Sequence, residues 1–211
     1  MRNLNRPSQA PASLAKFEHG KNIWGDVTSA DKKIIWDSLY KMQGTFCAYC
    51  ECTLQDNKKH IEHFIQKGRV TSKTFSWENL FGSCQYSDRC GVFKDKQKYN
   101  DCDLIKADID EPENFFSFLT NGSIRPKDGL SAQNTKKAEE TIRVFKLDVE
   151  LTQMRFSIIY PFIEIAETLF ELLDELSQDE WLSLYNSELE SLDGTPFYSA
   201  VKSVLMFNIK Y

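Results

Sequence analysis

The chain lacks any apolar run near the ~20 residues that cross a bilayer, and its opening, MRNLNRPSQAPASLAKF, has no apolar core of the kind a secretory signal needs. A cytoplasmic protein with no membrane partner is the expectation. In that compartment thiols stay reduced, which argues against a disulfide framework for the six cysteines and leaves metal binding, catalysis or packing. Histidine is scarce, with three in 211 residues. Positive charge is nearly missing from one long stretch: residues 148–193 hold one Arg against 12 Asp and Glu. That stretch repels a polyanion. Residues 41–106 differ, with 11 Lys and Arg against 8 acids, so charge permits nucleic acid at the middle of the chain despite a net charge of −5. Internal repeats and low-complexity tracts are also missing.

What is present divides into three parts. Residues 1–44 read as an arm rich in Pro, Ser, Asn and Gly, anchored by Phe17 and Trp24, followed by a helix. Ser29 is placed to cap that helix, Ile34, Ile35, Leu39 and Met42 fall at roughly helical spacing, and Gly44 ends it. Residues 45–105 carry short segments with cysteines, aromatics and turn residues. There CAYCECTL and HIEHFI read as two strands joined by QDNKK, and GVFKDKQKYN as a short helix. Residues 106–211 begin with a hairpin around Asn121-Gly122 and continue as helices. Ser131 caps the first, which presents Ala138, Ile142 and Phe145 on one face. Asp148 opens a long one with a kink expected at Pro161, and DEWLSLYNSELESL and PFYSAVKSVLMFNI are amphipathic, the latter with Pro196 in its first turn.

Four cysteines fall into two groups. Cys47 and Cys50 form a C-x-x-C knuckle, which turns two sulfurs toward one point; Cys84 and Cys90 are more loosely spaced, with five residues between. Either the four hold a structural Zn²⁺, or they are buried free thiols. A structural zinc contributes on the order of 10 kcal/mol to folding, and four thiolates leave no position open for water. Cys52 and Cys102 have no such spacing and read as packing residues.

The sequence His60-Ile61-Glu62-His63 is weak on its own, since histidines beside an acid are usually surface. On a strand, His60 and Glu62 share a face and His63 points the other way unless the strand ends there. A strand ending at this point offers a carboxylate to a divalent cation such as Mg²⁺ and an imidazole to an attacking water. Those parts suit phosphodiester hydrolysis.

CAYC, EHFIQK, WENL and SCQYSDRCGVFK in this order resemble the HNH endonuclease family, whose core is a ββα-metal fold. The likeness is closer still to the PtuB-type HNH subunits of Septu and retron antiphage systems, through an early Trp, CAYCE, IEHF, CGVFK, LIKAD, DEPENFF, NGSIRPKDGL and AEETIRVFKLD, so it runs over most of the chain. The resemblance implies an α+β, mostly α protein: a small zinc-stabilised ββα-metal module flanked by the N-terminal arm and helix and a C-terminal helical region. It implies that His63 is the general base, Glu62 a ligand of a catalytic Mg²⁺ or Mn²⁺, and Asn79 the asparagine that braces the loop and orients the histidine. Cys47, Cys50, Cys84 and Cys90 are the implied zinc ligands. Gly91 stands where many HNH proteins have a second ligand for the catalytic metal, which leaves that role to Asp88, Asp95, His60 or water. Lys94 matches the family's trailing basic residue, facing either phosphate or solvent.

The implied partners are a PtuA-like ABC ATPase, a reverse transcriptase with its RNA-linked DNA where the system is a retron, and the nucleic acid substrate. The acidic helices then read either as a layer with a solvated face or as the surface that docks such a partner. Two rivals to a DNA-cutting effector stand beside it: a non-catalytic zinc-binding module, and the same chemistry directed at structured RNA such as tRNA.

Overall fold

The computed structural model describes residues 1–192 and 194–206. The first helix, α1 (Ser29–Gln43), is capped one residue earlier than expected, by Thr28 in place of Ser29: the Thr28 side chain accepts from the Asp31 amide and Asp31 returns the bond in a capping box. Ile35, Leu39 and Met42 are buried, whereas Ile34 faces out. Gly44 closes the helix at a φ of 63°.

Strand β1 (Lys59–His63) pairs antiparallel with β2 (Leu80–Cys84), in the register His60↔Ser83, Glu62↔Phe81 and His63↔Leu80. This corrects the expected pairing with CAYCECTL, which makes only the bridge Phe46↔Thr53. Turning two sulfurs to one point curls residues 47–51 too tightly for a strand. Glu51 NH bonds back to Cys47 C=O at 3.0 Å, and Glu51 itself takes a φ of 64°. The knuckle leans on β2 through Ala48 NH to Gly82 C=O, 3.0 Å. Gln43 grips the same residue, its Nε2 donating to Gly82 C=O at 2.8 Å and its Oε1 accepting from Gly82 NH at 2.9 Å. A Cβ at Gly82 would lie 2.7 Å from both Gln43 Nε2 and the Trp36 ring, so only glycine admits this grip.

Helix α2 (Cys90–Lys94) follows β2 and is shorter than GVFKDKQKYN suggested. The hairpin around Asn121-Gly122 forms as expected, from β3 (Phe116–Phe118) and β4 (Ile124–Pro126). Ser131 caps α3 (Ala132–Phe145), which buries Ala138 and Phe145 and half-buries Ile142. Helix α4 (Val149–Glu171) continues through Pro161, and α5 (Gln178–Ser191) starts on a Ser177/Glu180 capping box. Helix α6 (Tyr198–Leu205) starts two residues after Pro196, which therefore precedes its first turn; the expected end of that segment, at 207–209, lies outside the described residues.

Helices thus dominate a mixed α/β chain carrying two small sheets. Nearly all of its buried apolar residues form one contiguous cluster, which includes five of the six cysteines; Cys102 is exposed and is therefore not a packing residue. Tyr49 stacks on Phe145 at 4.1 Å, joining the knuckle to α3. α6 returns to the knuckle as well: Phe197 NH donates to Glu51 C=O at 3.2 Å and Ser199 NH to Glu51 Oε2 at 3.0 Å. Arg155, the one base of the acidic stretch, is withdrawn into the interior, where it donates to the Gly122 and Leu147 carbonyls. Among the described residues no helix is long and apolar enough to cross a membrane.

Candidate metal centre and active site

The four sulfurs of Cys47, Cys50, Cys84 and Cys90 lie within 4.8 Å of one another, all in buried residues. Zn–S bonds of ~2.3 Å in a tetrahedron set sulfurs about 3.8 Å apart, and Cys50 Sγ is 3.9 Å from Cys84 Sγ. The knuckle supplies one pair, while β2 and the N-terminus of α2 supply the other. Hydrogen bonds from the surrounding cysteines, Cys47 foremost, hold the Cys50 thiol well below its usual range, whereas a hydrogen bond with Cys47 pushes the Cys84 thiol up and burial does the same to Cys90. Cys90, in this cluster, and Glu51, next to it, take the left-handed region at φ 55° and 64°, a conformation that costs a non-glycine residue of order 1 kcal/mol or more. The cluster is therefore a place where the backbone is bent to satisfy side chains. Its donor set fits zinc, and four thiolates close the site to substrate.

His63 ends β1 on the face opposite His60 and Glu62. Its Nε2 lies 3.0 Å from the Thr74 carbonyl. A carbonyl only accepts, so Nε2 carries the proton and the lone pair of the neutral ring is on Nδ1. Burial pushes the imidazole down to about 4, so it is neutral near pH 7. The ring meets the edge of Trp24 at 4.4 Å, and Trp24 in turn lies along Phe75. The arm, through its anchor Trp24, thus forms one wall of the site.

Asn79 does not touch His63; it ties the loop that does. Its Oδ1 accepts from Ile65 NH at 2.7 Å, and its Nδ2 donates to Ile65 C=O at 2.9 Å and Lys73 C=O at 3.0 Å. Thr74, which holds His63, is the next residue. Three bonds from one buried amide fix where that carbonyl stands. Replacing Asn79 with Ala strands those partners and should cost on the order of 3 kcal/mol, at ~1 kcal/mol or more per buried group. Denaturant unfolding and faster hydrogen exchange at the Ile65 amide measure it; unchanged exchange there would remove Asn79 from this role.

Glu62 faces the other way, toward α2, and is 2% exposed. One carboxylate oxygen accepts from Tyr49 Oη, and the other pairs with Lys94 Nζ at 2.7 Å. Lys94 is fully buried, so it faces neither phosphate nor solvent as expected of it. His60 lies beside this pair with its Nε2 buried and unpartnered, and burial pushes its ring down to about 4. A Cβ at Gly91 would lie 2.2 Å from Glu62 Cγ and 3.1 Å from His60 Nε2. Asp88 is exposed and pairs with Arg89, and Asp95 bonds Lys94 and Gln66 at the surface. Among the described residues, the four cysteines are the group in which three or more metal-capable side chains meet. Sequence reasoning missed Tyr49, Thr74 and Trp24 at this site. Tyr49, inside the C-x-x-C knuckle, was the one with a signal.

No family model matches the chain. It is 28% identical over 180 residues to the Septu protein PtuB of Bacillus thuringiensis, an alignment covering 82% of this chain and 64% of that protein. It is 27% identical over 120 residues to a retron Vc95 protein of Vibrio cholerae serotype O1 biovar El Tor named, provisionally, as an HNH endonuclease, covering 56% of this chain and 58% of that protein. The chain therefore matches somewhat less than two thirds of the length of each. The likeness first read from CAYC, IEHF, WENL and CGVFK holds along most of the sequence.

Proposed function

We propose that this relative of Septu PtuB is an HNH-type endonuclease, a toxic effector of an antiphage system, that hydrolyses phosphodiester bonds from a ββα module formed by β1, β2 and α2. The observation that carries the reading is the tautomer of His63: a neutral imidazole at a strand end, held by Thr74, with its Nδ1 lone pair left to act. His63 accepts the proton of an attacking water at Nδ1. Asn79 keeps the Thr74 carbonyl in place, so the ring cannot rotate its lone pair away. Lys67, Arg69 and Lys73 stand exposed on the same clipped loop, where they favour the phosphate backbone of DNA or of structured RNA. The cysteine cluster holds this frame together with Zn²⁺.

A Mg²⁺ or Mn²⁺ ion, when bound in such nucleases, stabilises charge on the scissile phosphate and the leaving oxygen. The residues at Glu62 do not fit that ion as they stand: Tyr49 bonds one buried carboxylate oxygen, and the Lys94 ammonium stands 2.7 Å from the other, where a cation would sit, although that oxygen accepts no hydrogen bond.

The acidic α4 and α5, with Tyr160, Phe170, Leu182 and Leu184 exposed among the carboxylates, suit a protein partner such as a PtuA-like ABC ATPase better than a polyanion. Incubating the purified chain with plasmid DNA and with tRNA in Mg²⁺ or Mn²⁺, alone and mixed with such an ATPase, tests both halves. Cleavage of either substrate by the free chain, slowed in the mixture, is expected. Intact DNA and RNA in all conditions would leave the non-catalytic zinc module as the better reading, and cleavage unaffected by the ATPase would remove the restraining partner.

A further inference from the structure

We infer that the cation held by Glu62 is the ammonium of Lys94 rather than a divalent metal, and that this internal pair positions the backbone of His63. The inference deepens the nuclease reading and rests on it for the role of His63.

Five oxygens converge on Lys94 Nζ. They are Glu62 Oε1 at 2.7 Å, Asp95 Oδ1 and the His63 carbonyl at 2.9 Å, Tyr99 Oη at 3.1 Å and the Phe64 carbonyl at 3.2 Å. Carboxylates and carbonyls around one positive centre are what a hard cation takes. Here the chain brings its own. Desolvation pulls the lysine down, and Glu62, Tyr99 and Asp95 together more than reverse this and keep it protonated, while burial pushes the Glu62 carboxyl up. Gly91 makes the arrangement possible, since the Cβ of any other residue would collide with the Glu62 side chain as it turns inward. The glycine that leaves room and the lysine that supplies a charge thus act on the same carboxylate.

The pair also has a use. Lys94 is on α2 and donates to the carbonyls of His63 and Phe64, so it fastens the end of β1 to the helix at the residue that bears the base. Asn79 holds the ring's acceptor from one side, and Lys94 holds the ring's own backbone from the other. Both are positioning residues.

The test uses no cleavage assay, so it can fail while the nuclease reading stands. Mn²⁺ is titrated into the full chain, as wild type and as Glu62→Gln, and followed by electron paramagnetic resonance. Equal uptake by the two, within about threefold or with neither binding, is expected; a loss of tenfold or more in Glu62→Gln overturns the inference. Thermal midpoints of Glu62→Gln, Lys94→Met and the double variant form the second arm. Each single change should lower the midpoint, and the double variant should recover more than half of the summed loss, because it leaves no buried charge alone. Simple addition of the two losses counts against the pair.

Should the single variants not fold, the wild type still decides. The ammonium ¹H–¹⁵N signal of Lys94, protected by burial, should stay in place at saturating Mg²⁺, and its disappearance would mean that the ion displaces it. In Lys94→Met, or in the double variant, the Nε2–H resonance of His63 should shift as its backbone tether is lost; an unmoved resonance denies the positioning role.

Discussion

Stripping zinc from this chain, or replacing Cys84 with Ser, is expected to unfold the molecule and not merely loosen one loop. The four sulfurs join three separate places in the sequence, the knuckle, the end of β2 and the start of α2. A structural zinc is worth on the order of 10 kcal/mol, comparable with the whole stability of about 5–15 kcal/mol of a typical domain. Here the loss spreads. Glu51, the residue after the knuckle, receives both amide bonds from the start of α6, and Tyr49 inside the knuckle stacks on Phe145 of α3. Releasing the knuckle therefore releases two helices, and the left-handed backbone at Glu51 and Cys90 loses the reason for its strain. Circular dichroism during titration with a strong chelator, with metal content measured on the same samples, checks this. Cys102→Ser, at an exposed site outside the cluster, is the control and should melt as the wild type does. A metal-free sample with an unchanged melting curve would show that the cluster is four packed thiols.

His63→Ala is expected to reduce cleavage by about 10²–10⁴-fold, the usual contribution of a positioned general base, while leaving a folded, zinc-loaded protein. The structural cost is limited. Removing the ring takes away one hydrogen bond to the Thr74 carbonyl and an edge contact with Trp24, about 1–3 kcal/mol for a buried acceptor left without its donor. The hydrogen bond of the ring goes to Thr74 and not to the clustered cysteines, and Lys94 bonds the backbone carbonyl of residue 63, which Ala retains. Stability and activity therefore separate in this variant. Rates on whichever nucleic acid the wild type cuts, beside melting curves, provide the check. A folded His63→Ala protein that cleaves within threefold of wild type would assign the proton to another group.

The parts legible in the sequence were those written in local chemistry. Ser131 announces a helix through its hydroxyl, Asn121-Gly122 a turn through its backbone freedom, and Cys47-x-x-Cys50 a knuckle through its spacing. Each of these is a matter of a few residues, and each forms. The strand partner was misread for the same reason. CAYCECTL lies next to HIEHFI in the chain, but LFGSC, beyond a loop clipped by Asn79, lies next to it in space. Local pattern carries no information about which of two apolar segments wins that pairing. Lys94 was beyond reach as well. A lysine that opens the polar run KDKQK reads as surface, and only the meeting of α2 with β1 reveals the oxygens that draw it inside. Trp24 was identified as an anchor, but what it anchors against depends on where the arm lies.

The grip of Gln43 on Gly82 has one more consequence. A side-chain amide has the same donor and acceptor as a peptide group, and at Gly82 it occupies the N–H and C=O that face away from β1. Two residues along, the outward carbonyl of Leu80 is met by the guanidinium of Arg6. The outer margin of β2 is thus finished with counterfeit strand, one amide and one guanidinium long. A foreign segment seeking to zip onto that margin finds its places already filled.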